Sequence, residues 1–100
     1  MIARKLAPDG RVKGERVPDM ERDGGSYDVL KPGQYGRLKD TTPQMWLCCT
    51  PNGLTGNLSG HKVIEHEDAT ITVTPSILVG GPGDGTQYHG WLERGEWRTS

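Results

Sequence analysis

Cys48, Cys49, His61, His66 and His89 are the side chains of this chain that take soft or borderline metal ions, and four of them converging would make a structural zinc centre. Their spacing argues against it. A zinc knuckle separates two cysteines by two residues so that one turn aims both thiolates at the ion, whereas Cys48 and Cys49 are adjacent and are followed by Thr50 and Asn52. The expectation is no metal site and no cofactor, with Cys49, His61, His66 and His89 as the weak candidates. Ser76, Asp84 and His89 are the residue types of a hydrolytic triad, but Ser76 lacks the glycine-flanked elbow that exposes a nucleophile, and Asp84 sits in a glycine-rich loop. No catalytic residue is assigned, and the chain is not expected to be an enzyme. Glu65, Glu67 and Asp68, interrupted by His66, suit a hard cation or a solvated turn, and the turn is the preferred reading. Glycines 80, 81, 83 and 85 suggest a phosphate-cradling loop, yet neither the lysine-serine pair nor the helix that such a loop needs follows them.

The tryptophans pose a similar choice. Trp46, Trp91 and Trp97 could stack on bases or sugars, but in a chain without phenylalanine they are needed inside, with Trp91 the one expected nearest the surface. Tyr88, His89 and Trp91 are therefore taken as the candidate interaction residues, for a protein partner or a second copy in a homo-oligomer.

These side chains must be held by a thin core. A chain of 100 residues is one small domain that buries about 60 to 70% of the surface its unfolded form exposes. Hydrophobic residues are 32%, while glycine and proline number 15 and 7, which favours short strands joined by turns over helices. The 12 basic and 13 acidic residues nearly cancel, so the chain as a whole has no electrostatic reason to bind nucleic acid or a membrane. The opening MIARKLAPDG lacks the apolar stretch of a signal peptide, and the adjacent cysteines exclude a disulfide framework. The expected compartment is the cytoplasm.

The positioning elements follow from period-two patterns and breakers. Residues 70–74 alternate threonine with Ile71 and Val73, which predicts a strand whose apolar face is core. Pro75 predicts an edge, an end or a bulge, after which Ile77, Leu78 and Val79 resume an apolar run. GGPGDG at 80–85 forces a reversal, residues 87–93 return as a strand carrying Tyr88, Trp91 and Leu92, and Arg94-Gly95 turns into a last strand with Trp97 inward. Upstream, residues 1–6 and 11–17 around the Pro8-Asp9-Gly10 turn predict a hairpin, residues 19–22 a brief helical turn, and residues 27–30 a short strand. Lys31-Pro32-Gly33 predicts a turn, and Tyr35 and Leu38 core contacts. MWLCC at 45–49 is dense enough to predict a strand buried on both faces, stopped by Pro51-Asn52-Gly53. Residues 61–67 alternate, with Glu67-Asp68 as the hairpin turn into the strand at 70. The sum is a mainly β fold, a small antiparallel β-sandwich or β-roll with short hairpins and little helix. Residues 1–45 form a hairpin-and-loop extension and 46–100 the β core, within one domain.

Thr-Pro-Asn-Gly at 50–53, Thr-Ile-Thr-Val-Thr-Pro-Ser-Ile-Leu at 70–78 and His-Gly-Trp-Leu-Glu-Arg-Gly at 89–95 resemble an uncharacterised domain family of bacteria and tailed phages that is sometimes labelled ammonia monooxygenase. Members often carry a cysteine-rich knuckle and a cysteine just before the histidine, where this chain has Thr50, Asn52 and Gly85 or Thr86. The resemblance covers about half of the chain and implies a small β domain, of the kind encoded by phages, with no ligand set for a monooxygenase. Two functional expectations result. The first is a non-enzymatic protein-interaction module, a phage accessory or virion-associated protein. The alternative is a metal-stabilised domain or metal-dependent hydrolase using Cys49, His61, His66 and His89.

Overall fold

Among the described residues nine strands arise where the alternating patterns lie, and they form two sheets. A computed structural model describes residues 11–21, 30–80 and 87–100. The strands are β1 (Arg11–Lys13), β2 (Glu15–Arg16), β3 (Gln34–Arg37), β4 (Trp46–Cys49), β5 (Thr55–Asn57), β6 (Lys62–Glu65), β7 (Ile71–Val79), β8 (Tyr88–Glu93) and β9 (Glu96–Thr99). One sheet has the order β1-β9-β8-β7-β6 and the other β2-β3-β4-β5. Every pairing is antiparallel except that of β2 with β3. The mainly β class expected from composition is the class found, and among the described residues there is no helix.

Register explains the core. Val12 pairs with Trp97, Trp97 with Leu92, Leu92 with Val73 and Val73 with Val63, so one apolar row crosses the inner face of all five strands of the larger sheet. Paired residues on neighbouring strands share a face, which makes such a row the unit of sheet stabilisation. It packs on Tyr35, Trp46, Cys48 and Leu58 of the smaller sheet and its flank. A second cluster, Leu30, Leu38, Leu47 and Cys49 with Val17, Met20 and Met45, covers the opposite face of β4. The expected two-faced burial of β4 is thereby met, and the two cysteines point into different clusters because neighbours on a strand face opposite ways.

Gly14 lets the chain pass from one sheet to the other between β1 and β2. Its N–H donates to Gly95 O at 2.7 Å, and a Cβ there would stand 2.8 Å from that oxygen and 3.0 Å from Gly33 O. Only glycine fits so close a backbone approach. This revises the expected hairpin arm at 11–17. It is two short strands in two sheets, and residues 1–10 lie outside the described residues. β1, β2 and β3, which lie within 1–45, are members of the two sheets. The expected helical turn at 19–22 is not formed in its described part: Met20 instead bridges Leu38 in parallel. The strand expected at 27–30 and the glycine loop expected at 80–85 fall mostly outside the described residues, although Leu30 is buried.

The other turns follow their chemistry. Gln34 N donates to Lys31 O at 2.9 Å with Gly33 at φ 89°, the left-handed residue that a proline-then-glycine turn needs. Between β6 and β7, Ala69 N donates to His66 O and His66 N to Thr70 O, and Ala69 takes φ 73°. Pro75 produces a bulge: Val73 pairs with Leu92 and Ile77 with Gly90, so four steps along β7 span two along β8.

Candidate functional site

Strand alternation divides β8 between core and surface. Tyr88, Gly90 and Leu92 face inward, while His89, Trp91 and Glu93 face out. Leu78 pairs with His89, and Trp91 with Arg98, which brings these four side chains onto the outer face of the larger sheet. His89 Nε2 lies 3.0 Å from Ser76 Oγ, and its Nδ1 lies 3.1 Å from Ser100 Oγ. The imidazole sits 5.6 Å from the Trp91 ring at a 47° tilt. Arg98 places its guanidinium carbon 4.3 Å from the centre of the Trp91 ring, in cation–π range, and its Nη2 donates to Glu93 Oε1 at 3.1 Å. Leu78 is 59% exposed.

Of the three expected interaction residues, His89 and Trp91 are on this surface and Tyr88 is not. Tyr88 is 4% exposed, meets Trp97 edge-on at 5.7 Å and hydrogen bonds Thr99 Oγ1 through its hydroxyl. Its ring lies over Gly90, where a Cβ would come within 2.5 Å of the hydroxyl oxygen. The correction has a simple cause: with a period of two, residue 88 cannot share a face with 89 and 91.

The metal candidates are each bonded elsewhere, although His61 and His89 both meet Ser76, one at its carbonyl and one at its hydroxyl. Cys49 is in the cluster behind β4. His61 donates from Nε2 to the Ser76 carbonyl at 3.1 Å, and its buried Nδ1 has no partner among the described residues. His66 Nε2 is 2.7 Å from Thr72 Oγ1, which also accepts the Arg94 N–H. Among the described residues no three His, Cys, Asp or Glu side chains form a group able to hold a metal ion. The thiols are also poor ligands: burial, with Cys49 adjacent, pushes Cys48 up to about 12, and burial raises Cys49 as well.

Two of the three triad types do meet, at Ser76 and His89, while Asp84 lies outside the described residues. The second imidazole nitrogen is held by the Ser100 hydroxyl. A neutral hydroxyl orients the ring but does not balance an imidazolium charge as a buried carboxylate does.

The acidic stretch is spoken for in part. Glu65 takes Arg16 at 2.8 Å and Arg37 at 3.3 Å, and Thr70 bonded to Asp68 holds that carboxyl below its usual range. Arg16 and Arg37 also stand over Trp46, 5.0 and 5.8 Å from the ring centre, and Asp19 accepts from Arg37 at 2.9 and 3.1 Å. This cluster, where the two sheets meet, was missed in the sequence because its members are far apart in the chain.

Compared with known protein families, curated proteins and solved structures, the chain matches none. Among the described residues no helix is long and apolar enough to cross a membrane.

Proposed function

We propose that this domain is a non-enzymatic protein-interaction module, and that its contact surface is the outer face of the five-stranded sheet around His89, Trp91 and Arg98. The observation that carries the reading is the group His89, Trp91 and Arg98, an aromatic pair with a guanidinium over the indole, on the outer face of the sheet. Tryptophan and arginine are the residue types that anchor protein interfaces, because a rigid ring and a planar cation offer large contact area for little lost rotamer freedom. A row already held by Glu93, Ser76 and Ser100 has less ordering to undergo on binding. The resemblance to domains of bacteria and tailed phages extends the proposal to a phage accessory or virion-associated protein, working in the host cytoplasm or within the particle.

The test is affinity capture from a host lysate with wild type and with a His89→Ala/Trp91→Ala double variant of equal thermal stability. The reading expects a stoichiometric protein retained by wild type and lost from the variant. Identical retained sets would remove the outer face from consideration.

A further inference from the structure

Beyond Thr74, β7 has no strand on its β6 side among the described residues. β6 pairs with β7 from Lys62 opposite Thr74 to Glu65 opposite Ile71, whereas β7 runs on to Val79. Ladder parity says where the unpaired backbone points. Ser100 N donates to His89 O, so the odd residues of β8 bond β9 and the even ones bond β7. Gly90 and Tyr88 therefore take Ile77 and Val79, and the N–H and C=O of Leu78 point the other way, past the end of β6. Ser76 points to that same side, and its carbonyl is capped by His61 Nε2 at 3.1 Å. Among the described residues nothing caps Leu78, which is also the most exposed of the large hydrophobics at 59%.

Sheet edges are ordinarily guarded by charge. β1 carries Arg11 and Lys13, and β6 carries Lys62 and Glu65, but residues 74–80, TPSILVG, bear none. We infer that this edge pairs with the same edge of a second copy, antiparallel about a two-fold axis through Leu78. Leu78 N–H of each chain donates to Leu78 O of the other, with Ile77 opposite Val79 of the second copy. An outward-pointing residue placed opposite itself satisfies the ladder on both chains, which is the condition for a closed, self-complementary contact. Directly opposed residues share a face, so the two exposed Leu78 side chains cover each other, and no like charges meet along the uncharged run. The inference rests on the edge backbone and on Leu78, and needs none of His89, Trp91 and Arg98.

Sedimentation velocity tests it on the full chain from about 10 µM to 1 mM, the range suited to a short contact. The expected result is a mass rising from one chain towards two. Leu78→Lys should weaken the association at least tenfold by setting like charges opposite each other, and Leu78→Pro should abolish it by removing the donor. Both should keep the wild-type near-ultraviolet circular dichroism, since neither the side chain nor the N–H of Leu78 serves the chain's own fold. Trp91→Ala should still associate. A wild type that stays single-chain throughout, or a dimer of equal strength in Leu78→Pro, overturns the inference.

Discussion

Trp97 Nε1 donates to the Gly33 carbonyl at 3.0 Å, a buried bond from β9 of one sheet to the turn that opens β3 in the other. The same carbonyl accepts the Glu15 N–H at 3.1 Å, so one oxygen joins the crossover after Gly14, the turn before β3 and the most buried large ring of the core. Trp97 thus links the sheets both by packing and by a directed bond. Trp97→Phe should destabilise by about 1 to 3 kcal/mol, because the ring is retained and Gly33 O keeps one donor. Trp97→Ala and Ile71→Ala should each cost about 2 to 5 kcal/mol, as large-to-small core changes do. Urea unfolding of the three variants checks this, and an unchanged midpoint for Ile71→Ala would contradict it.

The thiols should be silent in the folded protein. Cys48 and Cys49 are 0% and 2% exposed, and a thiol pushed up to about 12 supplies almost no thiolate at pH 8. Titration with an aromatic disulfide reagent should give no reaction in native buffer and two equivalents in denaturant, matching the two cysteines. Prompt reaction of either thiol in native buffer would mean that β4 is not covered on both faces.

Acid should loosen the cluster where the sheets meet. The hydrogen bond from Arg37 holds the Asp19 carboxyl below its ordinary 3.8, so the proton binds more tightly in the unfolded chain. The stability this linkage supplies is fully present above pH 3.8 and is lost as pH falls through the lower, folded value. Asp19→Asn should therefore flatten the fall in melting temperature below about pH 4. A variant whose acid profile overlays that of wild type would show that the Arg37 bond contributes nothing.

Removing the surface row should leave the fold alone. His89→Ala and Trp91→Ala each take away outward-facing groups, and surface changes of this kind cost about 0.5 kcal/mol, with somewhat more at Trp91 for the lost Arg98 stacking. The Ser76 and His89 pair should not turn over an activated ester: wild type and Ser76→Ala should hydrolyse p-nitrophenyl acetate at the same background rate. A burst in wild type alone would make the pair a nucleophile and base.

Local pattern made much of this architecture legible. Ile71 and Val73 alternating with threonines, Pro75 as an interruption, the Arg94-Gly95 turn and the buried MWLCC run each act through near neighbours, and each was found as read. What escaped depends on partners distant in sequence. Leu78 belongs to an apolar run, yet its position opposite His89 turns it outward. Residues 11–17 read as one arm, because the need for glycine at 14 comes from Gly95 and Gly33. Tyr88 and Trp91 are both taken as interaction residues, yet strand alternation puts them on opposite faces, with Tyr88 inward against Trp97. For the candidate site, the sequence offered His89 and Trp91, whereas Arg98, Glu93 and Ser100 join them through the β8 and β9 pairing.

Hydroxyl-radical footprinting with and without the captured partner tests the central proposal most directly. The account predicts that oxidation of Trp91 and His89 drops when the partner is bound, while the buried Trp46 and Trp97 stay unreactive in both states. Full oxidation of Trp91 and His89 in the complex, with protection on another face, would contradict it.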